Sequence, residues 1–230
     1  MTTPDQGFKP TPRNIIVNAD CTQFLPTLPG NSVDFILTDP PYGVSYQSRD
    51  GRTVPNDDNF QWLQPAAREM FRVLRPDSFC VSFYGFNATG RFQQAFRTAG
   101  FKIVGNLVFA KRYRSSARYV QRQHECAFLL AKGSPPLPAQ PIPDVLYMNY
   151  SGNKLHPTQK PVAPLMTLVN AFCPIGGFVL DPFTGSGSSL LAAHVTGRDY
   201  IGIEMDVKYH AIAERRLDYH AGKHADLVAA

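Results

Sequence analysis

Thr38-Asp39-Pro40-Pro41-Tyr42 places one carboxylate, two prolines and an aromatic ring directly after the apolar run Val33 to Leu37. The residue before a proline is pushed to extended geometry, so the Asp39 carboxylate is held stiffly where a strand ends. Neither proline has an N–H, which leaves the Pro40 carbonyl free of local competition, and Tyr42 adds a flat stacking surface. A planar group with N–H donors on an aromatic ring satisfies all three features. The exocyclic amino group of a nucleobase is such a group. A tight turn capped by Asp39 accounts for the same residues without any chemistry.

A second stretch, Val179-Leu180-Asp181-Pro182-Phe183-Thr184-Gly185-Ser186-Gly187-Ser188, reads as strand, glycine loop and helix start. Gly185 and Gly187 let backbone approach a ligand closely, and the helix N-terminus behind them favours an anionic group. The third glycine of a dinucleotide fingerprint is replaced by Leu190, which disfavours a pyrophosphate site. Glu204, at the end of the next strand, is placed to accept hydrogen bonds from ribose hydroxyls. Together these suggest a nucleoside cofactor better than NAD. A plain strand-to-helix turn with a capping acid is the competing reading.

Elements that position these residues alternate between strand-like and helical runs, the pattern of a mostly parallel sheet with helices on both faces. Strands are expected near Asn14 to Asn18, Ser32 to Thr38, Phe79 to Phe83, Phe101 to Phe109, Glu125 to Ala131, Phe178 to Leu180 and Tyr200 to Ile203. Helices are expected from Phe60 to Leu74, with Asp57 and Asp58 as candidate caps, from Ala88 to Ala99 ahead of Gly100, after Pro161, after Gly187, and from Val207 to Tyr219. The proline stretch Ser134 to Pro143 reads as a surface crossing within one sheet. The expectation is a single domain, 1–230, with a small elaboration near 111–155.

Hydrophobic residues make up 43% and charged residues 18% of the 230, which excludes a disordered or membrane class. No apolar run approaches the roughly 18 residues of a spanning helix, and Met1 to Pro12 has no apolar signal core, so a cytoplasmic protein is expected. Cys21, Cys80, Cys126 and Cys173 lie too far apart for a zinc knuckle or a disulfide framework. His220 and His224 have metal-site spacing but no acidic partner, and no metal is expected. The net charge of +5 equals the cations in one acid-free stretch: Lys111, Arg112, Arg114, Arg118 and Arg122. With Tyr113 and Tyr119 between them, they suit phosphate contacts plus base stacking, or else a solvated loop.

Asp39-Pro40-Pro41-Tyr42 together with Asp181-Pro182-Phe183-x-Gly185-x-Gly187 resembles the S-adenosylmethionine-dependent amino-methyltransferases of DNA, the N6-adenine and N4-cytosine enzymes. The tetrapeptide comes first and the glycine loop about 140 residues later, an order similar to the β class. His156-Pro157-Thr158-Gln159-Lys160-Pro161 is similar to the family's segment ahead of its cofactor loop, and the resemblance spans Asn14 to Leu217. It implies a Rossmann-like methyltransferase fold with circularly permuted motif order, in which Phe178 to Leu180, Tyr200 to Ile203 and Asn14 to Asn18 are successive neighbours.

The resemblance also implies a function. The cofactor is S-adenosyl-L-methionine, contacted by Asp20, Cys21, Asp39, His156, Thr158, Lys160, Asp181, Pro182, Phe183, Gly185, Ser186, Gly187 and Glu204. Asp20 reads equally well as the N-cap of a helix over Thr22 to Leu28. Asp39, Pro40, Pro41 and Tyr42 form the catalytic tetrapeptide, which receives a flipped base. Double-stranded DNA is contacted by Tyr46, Arg49, Arg52 and the basic strip. Asp at position 39 leans toward N6-adenine, because N4-cytosine members often carry Ser there. N4-cytosine, RNA or protein amide methylation and a catalytically silent DNA-binding subunit are the alternatives. A homodimer is expected, since 111–155 leaves little room for target recognition, and a partner restriction endonuclease is compatible with the family.

Overall fold

The structure, a computed structural model, describes residues 11–44, 51, 57–115, 119–152 and 154–228. Its strands are β1 (Ile15–Asn18), β2 (Val33–Thr38), β3 (Leu74–Tyr84), β4 (Lys102–Ser115), β5 (Arg122–Lys132), β6 (Val145–Met148), β7 (Phe178–Asp181) and β8 (Asp199–Glu204). Its helices are α1 (Cys21–Phe24), α2 (Leu63–Val73), α3 (Thr89–Ala99), α4 (Val162–Phe172), α5 (Ser188–Val195) and α6 (Val207–Val228). The strands form one sheet in the order β1-β8-β7-β2-β3-β5-β4-β6. Pairings are parallel from β1 through β3 and between β4 and β6, whereas β5 runs antiparallel to both neighbours. The adjacency β7, β8, β1 is the permuted order that the resemblance implies.

Period-two alternation divides the core between the two faces of the sheet. Ile36, Cys80 and Leu180 point to the face covered by α2 and α3, where Ala66, Met70, Phe92 and Phe96 are buried. Phe35, Leu37, Val81 and Val179 point to the opposite face, against Leu165 and Leu168 of α4 and Leu190 and Leu191 of α5. Central strands buried on both faces are continuous apolar runs for this reason. Gly100 ends α3 in the left-handed conformation, φ 110°, as its position in the sequence predicts.

Three elements differ from the sequence reading. β6 was not anticipated: Val-Leu-Tyr-Met between prolines and glycines is short, yet Leu146 and Met148 are buried while Val145 and Tyr147 face out, which makes it an edge strand. The basic strip is strand at both ends, because β4 runs on to Ser115 and β5 begins at Arg122. Asp57 does not cap α2, whose N-cap is Trp62 with no side-chain bond. Its Oδ1 instead accepts the backbone N–H groups of Tyr42 (2.7 Å) and Gly43 (2.8 Å), which pins the turn after the tetrapeptide. No described helix is long and apolar enough to cross a membrane.

Candidate active site

β2 and β7 are hydrogen-bonded neighbours, Phe35 opposite Val179 and Ile36 opposite Leu180, so Asp39 and Pro182 emerge side by side from the carboxyl ends of parallel strands. Beyond β7 the chain returns to β8 on one side, while β2 lies on the other. This is the switch point where open α/β sheets bind ligands. A cleft of about 940 Å³ opens there and runs from the glycine loop and Glu204 to Asp39, Tyr42 and Lys160.

At one end of the cleft the glycine loop is held by its own neighbours. Glu204 accepts the Gly185 N–H on one oxygen (2.8 Å) and the Asp206 N–H on the other (2.9 Å). Burial nevertheless raises its pKa to about 7. Pro182, Phe183, Gly185 and Ser186 line the cleft, and Phe183 packs against Trp62 at 4.8 Å between ring centroids. His156 lies on the loop's open side: a Cβ at Gly185 would stand 3.6 Å from its ring. Thr158 hydrogen-bonds the His156 ring at 3.1 Å and also lines the cleft. Asp20 does two things, lining the cleft and capping α1 through its bond from the Thr22 N–H at 2.8 Å. Beside it, the Cys21 thiol is pushed by burial to a pKa of about 12 and stays protonated.

Asp181 and Gly187, predicted as cofactor contacts, stand behind this wall. Asp181 is 3% exposed and accepts from Thr38 Oγ1 (2.8 Å), the Phe183 N–H (3.0 Å) and Ser189. It ties the ends of β2 and β7 to the start of α5. Burial raises its pKa to about 6, partly offset by these donors. Gly187 holds the left-handed conformation, φ 79°, and packs against α6, where a Cβ would stand 3.2 Å from Leu217.

The other end of the cleft is electrostatic. The Tyr42 hydroxyl donates to Asp39 Oδ1, and Lys160 Nζ donates to Asp39 Oδ2 at 2.5 Å. Lys160 also stands 3.0 Å from Glu125 Oε2, and Lys111 Nζ lies 2.7 Å from Glu125 Oε1. Burial pushes the Asp39 pKa up against the opposing pull of Lys160. For Lys160 the balance is reversed: burial disfavours its charge, but Asp39 and Glu125 together hold it protonated. Glu125, despite burial, is lowered to about 2 by Lys160 and Lys111. Burial and the neighbouring carboxylates raise Tyr42 well above its ordinary value, so it remains a neutral donor.

The structure gives two of the expected site residues specific partners. Lys160, grouped with the cofactor contacts, bonds the tetrapeptide carboxylate. Lys111, grouped with the phosphate contacts, turns inward to Glu125, and its side chain is only 10% exposed. Glu125 was missed, although it is the only acid between Asp77 and Asp144 and directly precedes the apolar run of β5. The rest of the strip faces water: Arg112, Arg114 and Arg122 are exposed, Arg112 lies over the Tyr147 ring, and Tyr113 packs edge-on to Tyr150. Tyr46, Arg49, Arg52 and Arg118 lie outside the described residues.

The sequence profile of the DNA methylase family, the N6 and N4 methyltransferases, matches residues 33–147 and 140–215. YubD of Escherichia coli (strain K12), a protein named as a methylase, is 53% identical over 201 residues, covering 87% of this chain and 88% of its own. Among solved structures, an M1.HpyAVI–SAM complex superposes with a TM-score of 0.70 at 24% identity, covering 88% of this chain and 98% of that one. The PvuII DNA methyltransferase (cytosine-N4-specific) does so with a TM-score of 0.72 at 18% identity, covering 86% and 84%. The two structures share the fold, and the profile and the E. coli relative fix the ancestry: this chain belongs to the DNA methylase family of N6 and N4 methyltransferases.

Proposed function

We propose that the chain is a site-specific DNA methyltransferase that moves the methyl group of S-adenosyl-L-methionine onto the N6 amino group of adenine in double-stranded DNA. The observation that carries this reading is the Asp39 carboxylate, ion-paired with Lys160 on the wall of the same cleft that the glycine loop and Glu204 line. The cleft suits the cofactor. The gap between Gly185 and the His156 ring is one that a Cβ would narrow, and Asp20 and Glu204 supply acceptors for amino and hydroxyl groups. When bound, the cofactor supplies a methyl group activated by its sulfonium.

An exocyclic amino nitrogen is a poor nucleophile because its lone pair is delocalised into the ring. The Asp39 carboxylate accepts one of its N–H bonds and the Pro40 carbonyl the other. Both acceptors favour a tetrahedral nitrogen and stabilise the positive charge that grows on it. Tyr42 keeps Asp39 oriented through its hydroxyl and offers its ring as a wall for the flipped base, whose extrusion costs a few kcal/mol. Holding acceptor and donor in one cleft supplies much of the remaining acceleration. Arg112, Arg114 and Arg122 contact phosphates, and two copies of the chain share target recognition.

The choice of adenine rests on Asp at position 39. Incubating the protein with DNA and radiolabelled cofactor, digesting to nucleosides and identifying the labelled one tests it directly. N6-methyladenine is expected. N4-methylcytosine would correct the base, and label in no nucleoside would favour a silent DNA-binding subunit. Light scattering tests the dimer; a monomer that methylates a long defined site would refute it.

A further inference from the structure

Asp39 sits at one end of a chain of four alternating charges, Asp39, Lys160, Glu125 and Lys111, drawn from four separate segments of the sequence. Lys160 is central to it, its side chain 8% exposed, with Asp39 on one side and Glu125 on the other. Glu125 Oε2 is buried and makes no well-formed hydrogen bond among the described residues, although Lys160 Nζ is 3.0 Å away. Lys160 is thus shared between two carboxylates, 2.5 Å from Asp39 and 3.0 Å from Glu125. A carboxylate in such a pocket gains from each nearby cation and loses from each nearby anion.

We propose that Lys160 and Glu125 are opposed positioning residues for Asp39: Lys160 keeps the Asp39 carboxylate charged and aimed into the cleft, and Glu125 tempers that hold by competing for the same ammonium. This deepens the methyltransferase reading and rests on it for its catalytic consequence. A carboxylate gripped by Lys160 alone would give up its acceptor strength to the ammonium and offer less to an amino group. One with no cation beside it would take up a proton in the buried pocket and cease to accept. The pair holds Asp39 between these extremes. The other groups that bear on Asp39 are the Tyr42 hydroxyl on its own turn, Asp181 at the end of β7, and Lys111 on β4 acting through Glu125.

The two residues must therefore move the titration of Asp39 in opposite directions. In the ligand-free protein, the Asp39 carboxyl is followed by carbon-13 NMR against pH and assigned by its absence in Asp39→Asn. Lys160→Met is expected to raise the midpoint by about one pH unit or more, as loss of a bonded opposite charge does, and Glu125→Gln, which lies beyond Lys160, to lower it by a smaller amount. Lys160→Arg should keep the midpoint near wild type, because the positive charge is retained. In methyl-transfer assays the acid limb of the rate profile should follow the same order. Midpoints that coincide in all variants, or that move the same way for Glu125→Gln and Lys160→Met, would overturn the proposal, with thermal melts confirming that each variant is folded. The NMR titration does not depend on turnover. A wild-type protein that methylates no DNA but shows the opposed midpoints refutes the methyltransferase reading and leaves the charge arrangement standing.

Discussion

The two ends of the cleft are built by different means. The glycine loop itself is held by residues near it in sequence, the buried carboxylates of Asp181 and Glu204 accepting the backbone N–H groups of Phe183, Gly185 and Asp206, although Asp20, His156 and Thr158 complete that end of the cleft from elsewhere. The Asp39 end is made by ion pairs between residues far apart, Lys160 and Asp39 being separated by 121 in sequence number. A loop held by its own backbone is set once the local chain folds. A carboxylate held by shared charges depends on several segments arriving together, and it stays sensitive to every charge near it. The first arrangement suits a rigid cradle for a cofactor, and the second suits a group whose electrostatics must be tuned.

Substitutions should therefore separate the two ends. The largest effect is expected from Asp39→Ala, which should lower methyl transfer by about 10²- to 10³-fold, the scale of removing one preorganised polar group. Calorimetric titration should show cofactor affinity falling far less than transfer; an equal loss of binding would show that the ends are not separable.

Two glycines sharpen the comparison next. A Cβ at Gly202 would stand 2.4 Å from Leu190 Cδ1 and Thr184 Oγ1, behind the glycine loop, whereas one at Gly85 would stand 2.8 Å from Tyr42 Cβ. Either alanine substitution should cost about 1 to 3 kcal/mol in urea unfolding, as overpacking does. Gly202→Ala should weaken cofactor affinity, and Gly85→Ala should slow transfer with affinity kept.

Glu204 gives the glycine-loop end a pH signature. Its folded pKa of about 7 lies above the ordinary carboxylate value of 4.5, so the folded protein holds a proton that the unfolded chain has released. The stabilisation is fully present below 4.5 and is lost as pH rises through about 7. Asp181, raised to about 6, adds to the same slope. Melting temperature of the cofactor-free protein should fall across this window, and Glu204→Gln should flatten the fall. On the proposed reading, in which Glu204 accepts from the cofactor as a carboxylate, cofactor affinity should run the other way and strengthen from pH 6 to 8.

The smallest effect is expected at the rim. Reversing Arg112 and Arg114 to Glu should weaken DNA binding and reduce the slope of log affinity against log salt by about one per lost contact. Binding measured at several salt concentrations checks this, and cofactor affinity should not change.

Much of the fold was readable because its signals are local. Continuous apolar runs marked β2, β7 and β8, Gly100 marked the end of α3, and the glycine loop announced the turn from β7 into α5. β6 escaped because four residues, two of them exposed, carry too little pattern to separate an edge strand from a loop. Asp57 was misread for a related reason: an acid before a helix is a cap by default, and only the fold reveals that the Tyr42 turn lies closer. Neither the phosphate-contact nor the solvated-loop reading of the strip anticipates that Lys111 turns inward to Glu125, because charge in a sequence has no direction.

By itself, the sequence determined the alternation of elements, the two motifs and their order, because each is encoded in residues within a few positions of one another. Tertiary structure alone decided the partners of Asp39. Lys160 and Glu125 carry no mark of their destination, and their pairing exists only because β2, β5 and the segment before α4 converge on one buried point where an unpaired charge is costly.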